Sequence, residues 1–125
     1  MKILLVEDDT VNMIVSRKCF ERLGVEVVAA VDAYEALELF DRTSLLAAVV
    51  TDIQLPGMDG IEMMHRMRDK AKEKGISMPV FAVTAYASRD ARKMLLENGF
   101  DDVFVKPVNY GEIVKVIEKS AERAL

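Results

Sequence analysis

The sequence predicts an α/β fold, a doubly wound sheet of five parallel strands in the order 2-1-3-4-5 covered by five helices. Three observations carry this expectation. Short apolar runs alternate with longer segments of helical spacing, which is the pattern of successive βα units. The runs are apolar nearly throughout, as in strands whose two faces are both covered by helices. Each helical segment opens on a Ser, Thr, Asp or Asn able to cap it. Right-handed crossovers between parallel strands then leave few topologies, and 2-1-3-4-5 is the simplest.

Lys2 to Val6 is a short run rich in branched residues, read as the first strand. It stops on Glu7-Asp8-Asp9, where Thr10 or Asp9 caps a helix running to about Leu23 with Gly24 as its stop. Val25 to Ala30 is the second strand. Asp32 with Glu35 forms a capping box for a helix through Leu37, Leu39 and Phe40. The third strand lies near Ala47 to Thr51, and the loop Pro56 to Gly60 behind it has the residues of a tight turn. Asp59 with Glu62 opens the third helix, whose Met63, Met64, Met67 and Ala71 share one face and which Gly75 ends. Pro79 to Thr84 is the fourth strand, and Ser88 caps a helix closing at Asn98-Gly99. Asp102 to Val105 is the fifth strand, ahead of Lys106-Pro107. Asn109 and Glu112 cap a last helix reaching about Ala124. No linker, repeat or low-complexity tract interrupts residues 1–125, so one domain is expected.

The composition excludes several classes. With 51% hydrophobic and 30% charged residues the chain is neither disordered nor membrane-like. A net charge of −4 gives no general footprint for nucleic acid. The apolar run from Ile3 to Val6 is too short for a signal peptide or a membrane span. The single cysteine, Cys19, precludes an intramolecular disulfide and fits a reducing compartment, hence a cytoplasmic protein.

In doubly wound sheets ligands sit beyond the carboxyl ends of the strands, at the switch point between the first and third. The residues there are chemically pointed. Strand one delivers Glu7 and Asp8, strand three Asp52, strand four Thr84 and strand five Lys106. Three converging carboxylates oppose one another's ionisation and call for a counter-charge. Oxygen ligands without His or Cys favour a hard cation, Mg²⁺ or Mn²⁺, over zinc. Lys106 is a second source of compensation. A carboxylate in such company can act as a nucleophile toward a phosphoryl group, with the cation and nearby donors offsetting the charge.

The motifs Val6-Glu7-Asp8-Asp9, Thr51-Asp52-Ile53-Gln54-Leu55-Pro56-Gly57-Met58-Asp59-Gly60, Val83-Thr84-Ala85 and Val105-Lys106-Pro107 resemble those of the receiver domain of two-component response regulators, a CheY-like, flavodoxin-like fold. The resemblance covers essentially the whole chain in order and spacing. It implies that Asp52 is the phosphoacceptor and Asp8 a direct Mg²⁺ ligand. Glu7 would act on the metal mainly through water, and the backbone carbonyl of Gln54 would complete the set. Thr84 and Lys106 would contact the phosphoryl oxygens, and Lys106-Pro107 is a candidate cis bond aiming the lysine inward. A histidine kinase or a histidine phosphotransfer protein would be the donor. The receiver would act through a downstream protein partner or an output domain, without binding nucleic acid directly.

One position departs from the family. Receivers commonly carry Tyr or Phe three residues before the lysine, where this chain has Val103, with Phe104 expected on the opposite side of the strand. The two positions that tune phosphorylation kinetics are Gln54 and Tyr86, and a bulky Tyr86 would shield an acyl phosphate from water.

Other readings compete. A lone Asp before a Pro-Gly turn is ordinarily a loop cap, and Asp9 fits a helix-end charge better than a ligand. An aspartyl phosphohydrolase would place a second Asp where Gln54 stands. A flavin or nucleotide module would need a phosphate loop where Glu7-Asp8-Asp9 lies. A degenerate receiver, serving only as an interaction module, is supported by Val103 alone. His65 reads as solvated and Cys19 as a half-buried packing residue. Arg89, Arg92 and Lys93 read as a solvated face or as part of a docking surface.

Overall fold

The structure, a computed structural model, describes residues 1–123. Its elements are β1 (Lys2–Val6), α1 (Thr10–Arg22), β2 (Glu26–Ala30), α2 (Ala33–Arg42), β3 (Ala48–Asp52), α3 (Gly60–Lys74), β4 (Val80–Thr84), α4 (Arg89–Asn98), β5 (Asp102–Val105) and α5 (Tyr110–Arg123). The strands form one parallel sheet in the order β2-β1-β3-β4-β5, as the sequence predicts. Ala124, the expected end of the last helix, lies outside the described residues.

Three strand boundaries move by a residue, each for a local reason. Val25 precedes β2 because its N–H closes the end of α1 on the Phe20 carbonyl at 3.1 Å. Pro79 has no N–H to pair, so β4 starts at Val80, although the Pro79 carbonyl still accepts from Val49 at 3.0 Å. Asp52 is the last residue of β3 and not the first of its loop, because it keeps register with Val83.

The caps form where side-chain chemistry places them. Asp9 accepts from the Asn12 N–H at 2.8 Å, Asp32 from Glu35 at 2.8 Å and Asp59 from Glu62 at 2.9 Å. Ser88 accepts from Ala91 at 3.1 Å and Asn109 from Glu112 at 3.1 Å. The Glu35 carboxylate also reaches back to the Val31 N–H at 3.0 Å, completing a box around the start of α2. Each cap contributes about 1 kcal/mol.

Alternate strand residues feed two cores. Leu4, Val6, Val49, Val80, Ala82 and Val103 pack beneath α2 and α3 with Phe40, Met63, Met64 and Met67. Ile3, Leu5, Val50 and Phe81 pack on the other face with Phe20, Ile113 and Ile117 from α1 and α5. The methionines of α3 are thus core residues, as their spacing predicts. The amino-terminal edge of the sheet is held by Arg68 of α3, which donates to the Met78 carbonyl at 2.8 Å, to the Gly99 carbonyl, and to Asp101 at 2.8 Å. The same Asp101 oxygen accepts from the Val80 N–H at 2.7 Å. Among the described residues, no helix is long and apolar enough to cross a membrane.

Candidate functional site

Parallel register brings the ends of β1, β3, β4 and β5 to one edge. Val6 pairs with Thr51, Asp52 with Val83, and Thr84 with Val105, so the residues at or just beyond these pairs share a rim. Glu7, Asp8 and Asp52 meet there, with one carboxylate oxygen from each lying within 4.8 Å of the others. Glu7 is only 6% exposed, Asp52 is intermediate and Asp8 is exposed. Lys106 Nζ donates to Asp52 Oδ2 at 2.7 Å and stands 4.0 Å from Glu7. The Lys106-Pro107 bond, a cis candidate by the family resemblance, is cis.

The electrostatics follow from crowding. Burial, then hydrogen bonding with Asp52 and the Asp52 charge, push the Glu7 carboxyl up to about 7, against the pull of Lys106. Burial of Lys106 disfavours its charge, but the Asp52 hydrogen bond and the surrounding carboxylates hold its pKa above the ordinary lysine value. The rim therefore carries more negative charge than its single lysine balances. Its donors are all oxygens, which is the set a hard divalent cation requires. The site fits such an ion.

The remaining side chains frame this cluster. Thr84 is 3% exposed, and its hydroxyl accepts from the Tyr86 N–H at 3.1 Å, leaving its own proton free to donate. Gln54 follows Asp52 closely. Its N–H points at Asp52 Oδ1 over 3.3 Å, and its side-chain amide donates to the Tyr86 hydroxyl at 2.9 Å. That bond ties the β3–α3 loop to the β4–α4 loop across the mouth of the site, a contact that residues 32 positions apart do not reveal in sequence. Gly60 lies against the backbone of Asp52, where a Cβ would come within 2.5 Å of the Asp52 carbonyl oxygen. Gly57 adopts φ +76°, and the Tyr34 ring covers it at 3.0 Å from where a Cβ would stand.

Val103 is 3% exposed and belongs to the α2/α3 core, whereas Phe104 lies in the opposite core, edge-on to Phe81 at 6.1 Å. The two residues occupy opposite faces, as strand alternation predicts. Arg92 is neither simply solvated nor free for docking. Its guanidinium donates to the Val103 carbonyl at 2.7 Å and to Asp102 at 2.9 Å, clasping α4 to β5. Arg89, Lys93 and His65 are exposed, and Cys19 is a half-buried free thiol.

Comparison with known proteins agrees with this geometry. Residues 3–118 match the response regulator receiver domain family. The chain is 31% identical over 125 residues to the sensor histidine kinase GacS of Pseudomonas protegens, covering 99% of this chain and 14% of that kinase. The receiver domain of a sensor histidine kinase from Pseudomonas aeruginosa, with a magnesium ion coordinated in its active-site cleft, superposes with a TM-score of 0.80 at 29% identity, over 94% of each chain. The receiver domain of the Saccharomyces cerevisiae response regulator Ssk1, crystallised with the histidine phosphotransfer protein Ypd1, superposes with a TM-score of 0.83 at 26% identity, covering 94% of this chain and 86% of that one. With a doubly wound sheet in the expected order and a rim of three carboxylates, a threonine and a lysine, the chain belongs to the response regulator receiver domain family of two-component signalling.

Proposed function

We propose that the chain is a phosphoacceptor, taking a phosphoryl group onto Asp52 from the histidine of a histidine kinase or phosphotransfer protein. The observation that carries this reading is the Asp52 carboxylate itself, held 2.7 Å from Lys106 inside a cluster of three acids. An Asp52 oxygen attacks phosphorus, the new O–P bond forms as the P–N bond to the donor imidazole breaks, and the electron pair of that bond returns to the ring nitrogen. Glu7, Asp8, Asp52 and the Gln54 backbone carbonyl would hold Mg²⁺, with Mn²⁺ as an alternative. The ion would neutralise charge on the transferring group. Lys106 and the free proton of Thr84 would bind the phosphoryl oxygens as charge builds there. Tyr86, fixed by Gln54, would cover the acyl phosphate and slow its hydrolysis.

Val11, Ile14 and Val15 of α1 expose apolar side chains on the helix that follows Glu7-Asp8, suiting a partner that must bring its histidine to this rim. The Ypd1 complex of the related Ssk1 receiver supports a phosphotransfer protein as that partner. Phosphorylation would add charge at Thr84 and Lys106 and bias the face built from α4, β5 and α5, through which a downstream protein or an attached output domain is controlled. With Val103 in place of an aromatic switch, the Arg92 clasp would be the route by which a change in β5 reaches α4. Residues 1–125 would act as one such unit, in the cytoplasm.

The decisive experiment is incubation with Mg²⁺ and acetyl phosphate followed by intact mass measurement. A single added phosphoryl group, lost when Mg²⁺ is chelated and in Asp52→Asn, is the expected result. An adduct that survives Asp52→Asn, or none at all, overturns the assignment and leaves an interaction module that works without phosphate.

A further inference from the structure

Helix α1 packs loosely. Across its length, Phe20 is the buried residue, while the other inward positions, Met13, Ser16 and Cys19, are only half-buried. From its midpoint toward its carboxyl end the helix is propped from α5 by the Ser16–Tyr110 hydroxyl pair at 2.9 Å and by the edge-on Phe20–Tyr110 contact at 5.1 Å. Between these props and the rim a cleft of about 520 Å³ remains. Its walls are mainly apolar, from Leu5, Val15, Val50, Val83, Val108 and Ile113. Its end at the rim is formed by Glu7, Asp52 and Lys106. Cavities of roughly 300–1,000 Å³ with apolar walls and a few convergent polar groups are the usual form of small-molecule sites.

Charge decides what suits the rim end. Asp52 has Lys106 at hydrogen-bonding distance, whereas Glu7 has that same ammonium only at 4.0 Å and is almost out of contact with water. Two lining carboxylates face one ammonium, so an additional cation is favoured and an anion is opposed. Along the walls, the Ser16 and Tyr110 hydroxyls satisfy each other, Thr51 is spent on the Asp52 carbonyl at 2.8 Å and the Asn12 side chain faces Glu7, so the walls ask for little further hydrogen bonding.

We propose that the α1–α5 cleft is a binding site for a small organic cation, a ring-sized apolar body carrying one ammonium group that ion-pairs with Glu7. Such a ligand fills a space that α1 leaves empty and competes for a carboxylate that the phosphoryl site also uses. It therefore acts as an inhibitor of metal loading, and that consequence rests on the metal assignment proposed above. The cleft itself does not depend on phosphorylation.

The test, run at about pH 8 so that both Glu7 and the amine carry their charges, uses benzylamine as the probe and benzyl alcohol as its uncharged counterpart, followed by amide chemical shifts of the full chain without any phosphodonor. Benzylamine should saturate with a dissociation constant on the order of a millimolar, moving signals of Val15, Ser16, Val50, Val108 and Tyr110. It should bind roughly tenfold more tightly than benzyl alcohol, an advantage that Glu7→Gln removes. Ser16→Leu, which fills the cleft, should abolish binding. If that variant does not fold, Val15→Phe blocks the cleft from its exposed edge. Unsaturable shifts, shifts confined to exposed acids, equal affinity for the two probes, or undiminished binding in a folded blocking variant each overturn the proposal. Displacement of benzylamine by Mg²⁺ supports the shared use of Glu7. Tight benzylamine binding that Mg²⁺ leaves unchanged supports the cleft and counts against the metal assignment alone.

Discussion

Replacing Glu7 by Gln should flatten the pH dependence of stability in the metal-free protein. In the folded state this carboxyl titrates near 7 and in the unfolded chain near 4.5, because burial and the Asp52 charge penalise its ionised form. Between those values the unfolded chain has released the proton and the folded protein has kept it. The native state then binds more protons, and stability falls as pH rises. Below 4.5 both states are protonated and the full contribution is present; above about 7 both are ionised and it is gone. At about 1.4 kcal/mol for each pH unit separating the two values, the span is worth about 3 kcal/mol, and about 2.5 kcal/mol of it falls between roughly pH 5 and pH 8. This is a large share of an ordinary domain's stability of about 5–15 kcal/mol. Urea unfolding in the presence of a chelator, at matched pH values for wild type and Glu7→Gln, isolates the contribution because other titrating groups cancel in the difference. Wild type should lose about 2.5 kcal/mol more than the variant across that range. Parallel pH profiles for the two proteins would refute the burial and charge argument.

Gly60→Ala should destabilise the protein by about 1–3 kcal/mol and slow labelling by acetyl phosphate, since the added methyl meets the backbone of Asp52 and Ile53, which cannot step aside without moving the site. Urea midpoints and the rate of mass gain check the two effects separately. Asp101→Ala strips the Val80 N–H and Arg68 of their shared acceptor and should cost about 2 kcal/mol in urea unfolding. Asp101→Asn, still able to accept from Val80, should recover part of that loss. Tyr86→Ala should speed decay of the phosphorylated form several-fold in a chase followed by intact mass, and Tyr86→Phe, which loses only the Gln54 bond, should fall between it and wild type; an unchanged decay rate in Tyr86→Ala refutes the shielding role.

Much of this architecture is legible in the chain because it is local. Caps such as Asp32 with Glu35 and Asp59 with Glu62 act over three residues, and apolar strands announce themselves within five or six. The convergence of Glu7, Asp8, Asp52, Thr84 and Lys106 is legible at one remove, since parallel strands all end at the same edge once their order is known. What sequence does not disclose is where long side chains go after the fold has formed. Arg92 reads as one of several basic residues on a helix, yet it is spent on β5. Arg68 and Asp101 carry no motif, yet they fasten the amino-terminal edge of the sheet. The Gln54–Tyr86 bond and the cleft beneath α1 depend on loop approach and helix standoff, and neither leaves a periodic trace.

The placement of the aromatic hydroxyls has a practical outcome. The chain has no tryptophan and only three tyrosines. Tyr34 covers Gly57 in the loop behind Asp52, Tyr86 is bonded to Gln54, and Tyr110 closes the cleft beside Ser16. Every tyrosine therefore touches a segment bordering the acidic rim, either the β3–α3 loop or the adjoining cleft. Emission from the unlabelled protein is a direct optical report on that neighbourhood, sensitive to ion, phosphoryl group or cleft ligand, and single Tyr→Phe variants would assign each change to its own side of the site.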